Sequence, residues 1–318
     1  MWTSSRPHYA SDVLDPTTLP PAAPVDPEAF EQIAELLRVG DVAVLTGAGM
    51  STASGIPDYR GPDGQRRAQP MQYSEFLADS AGRRRYWARA YAGWKRFASA
   101  GPNTSHLAVA ALQHRGALTG LITQNVDGLH QAAGSHGLIE LHGNLARVVC
   151  LDCDRRYSRE EVHGWLQRAN PFFAAPAASK EVRPDGDVVL SEEEVAEFTI
   201  ATCPGCGHDR LKPDVVFFGG AVSRPLVDES FALVERSRAL LVLGSSLQVM
   251  SGYRFVRRAA ALGLPVAVVT RGPTRGDKET TIRVNALLGD VLPGLAEALP
   301  ERARWTQPEA RDASEKRH

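Results

Sequence analysis

The sequence predicts an α/β fold, a Rossmann-like parallel sheet with helices on both faces plus a small inserted module. Three observations carry this. Apolar runs such as Val42 to Leu45, Ala239 to Val249 and Leu264 to Gly272 alternate with helical patterns, and strands buried on both faces belong to parallel sheets. The runs stop at small or polar residues: Gly47-Ala48-Gly49, Gln124-Asn125-Val126-Asp127, Gly244-Ser245-Ser246 and Thr270-Arg271-Gly272. Ligands of open α/β sheets bind beyond such carboxyl ends. The alternation breaks from about Gly143 to Leu211, where the chain's 4 cysteines lie.

Taken in order, Asp26-Pro27-Glu28 has the cap, the first-turn proline and the acid of a helix start. Phe30, Ile33, Leu36 and Leu37 form its apolar stripe, and Gly40 ends it. The strand Val42 to Leu45 runs into "TGAGMSTASGIPDYRG". Arg83 to Phe97 reads as a basic, aromatic-rich helix and Thr104 to Gln113 as another. "GALTGLITQNVDGLH" is a strand entering a polar turn, and "GYRFVRRAAALG" is a helix with its closing glycine. This divides the chain into an N-terminal arm (1–25), a discontinuous sheet domain (26–142 and 212–300), a cysteine-bearing module (143–211) and a tail (301–318). Composition marks the arm and the tail as flexible.

Bulk properties narrow the function. With 318 residues the chain can bury a sizeable core. A net charge of -1 gives no global attraction to nucleic acid or membrane. No run reaches the ~18 apolar residues of a membrane span. The N-terminus lacks the apolar region of a secretory signal, so the expected location is the cytoplasm.

Cys150-x2-Cys153 and Cys203-x2-Cys206 supply four thiolates, a tetrahedral set suited to zinc. Four protein ligands leave no open position, so one Zn2+ there is structural. Free or disulfide-bonded cysteines are the competing reading. A nucleic-acid-binding ribbon is disfavoured by "SEEEVAEF" within the module. The glycine loop lacks both the Walker ending and the dehydrogenase spacing. It fits a pyrophosphate cradle, with the amides of Gly47, Ala48 and Gly49 facing the anion, and it equally fits a tight strand-to-helix turn. His142, in "ELHGN", stands between a strand end and the module; by spacing alone it is structural or catalytic.

Together "GAGMSTASGIPDYR", "TQNVDGLHQAAG", "ELHGN", the two cysteine pairs, "LKPDVVFFGG" and "GSSLQV" occur in the order found in the sirtuins. The chain resembles that family of NAD-dependent protein-lysine deacylases over roughly Glu28 to Leu292. "RYWARAYAGW", "SLQVMSGYRF" and "GPTRGD" look most like its class II branch. The resemblance implies that Gly47, Ala48, Gly49 and Ser51 meet the NAD pyrophosphate side, and that Asp58, Tyr59 and Arg60 close over the nicotinamide ribose. Gln124, Asn125, Val126 and Asp127 would hold the ribose and nicotinamide. Gly244, Ser245, Ser246, Thr270, Arg271, Gly272 and Leu288 would contact the phosphate and adenosine. The family commonly has Phe at Tyr59, and many members have Asn at Thr270.

It further implies that His142 is the general base, with Asn125 assisting, and that the products are free lysine, nicotinamide and O-acyl-ADP-ribose. Acylated-lysine protein substrates would add as a strand between "VVFFGG" and "LQVMSG", touching Val216, Phe217, Phe218 and Gly219. Tyr86 and Arg89 stand as the Tyr-x-x-Arg pair by which the family's desuccinylases bind acidic acyl groups. The competing reading is a solvated basic helix face. Mono-ADP-ribosyl transfer to protein and NAD sensing without catalysis are the alternative functions.

Overall fold

The computed structural model describes residues 25–61, 65–66, 69–173 and 183–300. The expectations for residues 1–24 and for the tail 301–318 lie outside these. Helix α1 (Pro27–Val39) begins as its sequence dictates, with the Asp26 carboxylate accepting the Glu28 amide at 3.0 Å and Gly40 closing it at φ 91°. Strand β1 (Val42–Thr46) is flanked by β2 (Leu118–Thr123) and β7 (Ala239–Leu243), and pairing continues through β3 (Ile139–Glu140), β8 (Val266–Val269) and β9 (Ile282–Val284). The spatial order is β3-β2-β1-β7-β8-β9, parallel throughout.

Strand period 2 sorts the side chains between two cores. Val42, Val44, Ala239, Leu241, Leu243, Ala267 and Val269 face one, which α1, α4 (Thr104–His114) and α10 (Leu288–Glu297) complete. Ala43, Leu45, Leu240, Val242, Val266 and Val268 face the other, filled by Leu233 and Val234 of α8 (Arg224–Glu235) and by Phe255 and Val256 of α9 (Met250–Ala261). Double burial explains why the central strands are apolar without alternation.

A second, antiparallel sheet has the order β5-β4-β6, from β4 (Gly143–Cys150), β5 (Arg156–Ser158) and β6 (Leu211–Val215). With α6 (Arg159–Ala169) and α7 (Glu192–Ala196) it forms the smaller body. Its core includes Phe76 of α2 (Tyr73–Ala78) and Tyr86, Trp87, Ala88 and Ala90 of α3 (Ser80–Ala98). The division by composition assigns α2 and α3 to the sheet domain. The structure packs them on the cysteine-bearing module, because the basic helix hides an aromatic face there. Trp87 donates to the Leu211 carbonyl at 2.9 Å. Arg159, fully buried, lies over the rings of Trp87 and Trp94 at 4.8 and 4.5 Å and donates to the Ala90 carbonyl at 3.0 Å. Among the described residues, no helix is long and apolar enough to cross a membrane.

Candidate functional site: a cleft beyond the parallel strands and a four-cysteine cluster

A cavity of about 920 Å³ opens beyond the carboxyl ends of β1, β2, β7 and β8, in the range of small-molecule and cofactor sites. Its walls include Gly47, Ala48, Gly49, Ser51, Asp58, Tyr59 and Arg60. Gln124, Asn125, Val126, Asp127 and His142 line its floor. Gly244, Ser245, Ser246, Thr270, Arg271 and Leu288 line the β7–β8 end. Gly272 is outside the lining; its amide donates to Asn285 Oδ1 at 3.0 Å. Val216 to Gly219 and Leu247 to Ser251 line the same cavity from two sides, as expected for a peptide groove.

The glycine loop differs from the expectation. The Gly47 amide donates to the Leu243 carbonyl at 3.0 Å and the Gly49 amide to the Gly244 carbonyl at 2.8 Å. Only Ala48, of the three, has an amide without a hydrogen bond among the described residues. The glycines serve a different purpose: a Cβ on Gly49 would lie 2.9 Å from Gly244 Cα, and one on Gly47 would lie 2.7 Å from Ser245 Cβ. The β1 and β7 loops therefore touch backbone to backbone. Gly244, at φ 61°, completes that contact.

Polar side chains on the floor hold one another. Ser51 donates to Asp127 Oδ2 at 2.6 Å, and Asn125 Nδ2 donates to the Gly47 carbonyl at 3.1 Å and to Ser51 Oγ at 3.0 Å. Gln124 Nε2 donates to Ser245 Oγ at 2.8 Å, joining the ends of β2 and β7. Burial raises the Asp127 carboxyl above its usual range, opposed by the Ser51 hydroxyl and the Leu129 amide. Behind this layer His130 Nε2 lies 3.1 Å from Thr46 Oγ1, with the His106 ring 4.9 Å away; burial keeps both imidazoles neutral, at about 3 and about 4.

His142 is gripped at both nitrogens. Nδ1 is 2.9 Å from the Gln124 carbonyl, and Nε2 is 2.8 Å from Ser251 Oγ. A carbonyl only accepts, so Nδ1 carries the proton and Nε2 presents a lone pair, held by the Ser251 hydroxyl. Burial lowers its pKa below 6.5, and the charge of Arg254 adds to this. A neutral imidazole with a directed lone pair is what a general base requires. Sequence reasoning missed Ser251, the second residue of α9, which only the fold brings to His142.

The four cysteine sulfurs all lie within 4.8 Å of one another, Cys150 to Cys206 at 3.6 Å and Cys153 to Cys203 at 3.7 Å. Zn–S bonds of about 2.3 Å in a tetrahedron require S···S separations of about 3.8 Å. The set fits zinc, and the Tyr157 hydroxyl 3.2 Å from the Cys203 sulfur supports that ligand.

Tyr86 reaches the cavity wall, but Arg89 does not. Burial lowers the Arg89 pKa, opposed by the charges of Asp187 and Asp185 in the loop that follows Arg183.

The cleft opens where β1 and β7 adjoin at the centre of the sheet, the place where ligands of open α/β sheets bind. The Sir2 family model matches residues 47–251, and the chain belongs to this family, the sirtuins. It is 52% identical over 268 residues, 84% of this chain and 89% of the relative, to NAD-dependent protein deacetylase 1 of Streptomyces coelicolor. It is 44% identical over 280 residues, 86% of this chain and 88% of the relative, to the mitochondrial NAD-dependent protein lipoamidase sirtuin-4 of Homo sapiens. Among solved structures it superposes on a Sir2 complex with a p53 peptide and NAD+ at TM-score 0.66 and 29% identity, covering 84% of this chain and 97% of that one. A Sir2 enzyme bound to a propionylated peptide matches at TM-score 0.66 and 28% identity, covering 84% and 97%.

Proposed function

We infer that the cleft removes acyl groups from protein lysines at the expense of NAD. His142 carries this reading: a neutral histidine, fixed at both ring nitrogens, faces the same cavity as the Ala48 amide and the Asn125–Asp127 turn. The relatives named NAD-dependent protein deacetylase support it. Bound NAD supplies an activated ribose carbon that accepts the acyl group as nicotinamide departs. Around it, Ala48 offers an amide to phosphate, and Tyr59, set edge-on to Phe218 at 5.4 Å, shields the reacting end from water. Asn125 and Asp127 bind the nicotinamide side. His142 Nε2 takes a proton from a ribose hydroxyl, and the Gln124 carbonyl steadies the imidazolium that forms.

A lysine substrate reaches the site between Val216–Gly219 and Leu247–Ser251, where backbone pairing holds peptides with little sequence preference. The likeness to the sirtuin-4 proteins supports the class II reading. One zinc in the cysteine cluster and a cytoplasmic location complete the proposal; metal analysis of the folded protein and cell fractionation check them.

The test is nicotinamide release from NAD with an acetyl-lysine peptide and with its unmodified twin. Release only with the acylated peptide is expected, falling about 100-fold or more in His142→Ala. Release independent of acylation, with ADP-ribose on protein, would instead make the enzyme a transferase.

A further inference from the structure

One wall of the cavity lies beside the cofactor grip. Pro184 and Asp185 line it together with Met71, Tyr59 and Tyr86. Both loop residues come from the cysteine-bearing module. The turn is tight: the Gly186 amide donates to the Arg183 carbonyl at 2.9 Å and the Arg183 amide to the Asp187 carbonyl at 2.8 Å. It is seated on α3, where a Cβ on Gly93 would lie 2.1 Å from the Gly186 carbonyl oxygen.

Polar atoms are trapped there. Asp187 and Tyr86 are each 4% exposed. The Tyr86 hydroxyl and one carboxylate oxygen each of Asp185 and Asp187 are sealed from water and make no hydrogen bond among the described residues. Asp187 has Arg183 Nε 3.6 Å away, and the charge of Arg89 acts on it more weakly. Arg89 is absent from the cavity lining, whereas Asp185 is part of it. Asp185 stands on the cavity wall, so a chain end that reaches it meets a carboxyl.

We propose that Asp185, backed by Asp187 and beside Tyr86, selects acyl chains that end in an uncharged hydrogen-bond donor, such as a carboxamide or a hydroxyl, over chains that end in a carboxylate. The proposal rests on the deacylase reading and deepens it. The two carboxyls share protons: burial raises both, Asp187 to about 8 with Asp185 adding to the rise. The groups facing them are Arg183 in the loop, Arg89 on α3, Tyr86 with Arg159 beside it, and Tyr59 with Arg66. As the pair loses its proton, discrimination against a carboxylate end increases.

The experiment compares kcat/KM for one peptide carrying, in turn, acetyl-, butyryl-, succinyl- and succinamyl-lysine. The last two differ only in a terminal carboxylate against a carboxamide. Wild type should prefer succinamyl over succinyl by about tenfold or more, and the ratio should widen as pH rises through about 8. Asp185→Asn should bring the ratio towards one by raising succinyl turnover. Should that variant fail to fold, the wild-type ratio and its pH dependence still decide. Succinyl equal to or above succinamyl in wild type, or a ratio unmoved in folded Asp185→Asn, overturns the proposal while acetyl turnover leaves the deacylase reading intact. No turnover of any of the four peptides, acetyl included, overturns both.

Discussion

His142 shows what one residue's surroundings do to its chemistry. Burial disfavours its charged form, so the acid limb of kcat/KM should fall below pH 6.5. The Ser251 hydroxyl donates to Nε2 only in the neutral form. Ser251→Ala should therefore move that limb to higher pH and lower kcat more than it raises KM; a pH–rate profile of the variant measures both. Asp187 gives a stability counterpart. Its folded carboxyl titrates near 8 rather than 3.8, so the folded chain keeps a proton that the unfolded chain has shed. Its favourable contribution is complete below the unfolded value and declines as pH rises to the folded one. Asp187→Asn should melt above wild type at about pH 9 and close to it at about pH 4, by calorimetry.

Between elements, two contacts hold the active geometry. The first is the backbone contact of the β1 and β7 loops. Gly49→Ala must push Gly244 away and should cost about 1–3 kcal/mol along with NAD affinity, read by thermal melts with and without NAD. The second is Arg159, whose guanidinium ties α6 to the two tryptophans of α3. Arg159→Ala should cost about 2–4 kcal/mol. Arg159→Met, which fills the space without a buried charge, should cost much less, and denaturant titration separates the two. The central strands, α1, α4 and α9 were legible because their apolar patterns are long, and α1 and α4 also carry side-chain caps from Asp26 and Asn103. Strands β3 and β9, of two and three residues, are too short to show a period. Helix α8 does carry a start signal, Ser223 followed by Pro225, but it comes straight after a glycine-rich turn, and α10 carries Pro293 inside it.

For the whole molecule, the four-cysteine cluster ties β4 to the turn before β6, so a zinc held there would brace the smaller body. Chelation should unfold that body first and give a separate low-temperature transition, while the six-stranded sheet persists; circular dichroism during chelator titration tests this. The cofactor cleft was legible from the sequence because strand ends, glycines and polar turns are local signals. The inner end of the acyl pocket was not, since Asp185 lies about a hundred residues beyond Tyr86 and only the fold brings them together. The same applies to Arg89, whose helical spacing from Tyr86 suggested a shared anion although it lies outside the cavity lining. The loop from Arg183 to Leu190 reaches the cavity wall through Pro184 and Asp185. Val188 and Leu190 hold it in the core of the smaller body. Exchanging Pro184 and Asp185 alone should therefore retune which lysine modification is erased and leave the machinery that consumes NAD in place.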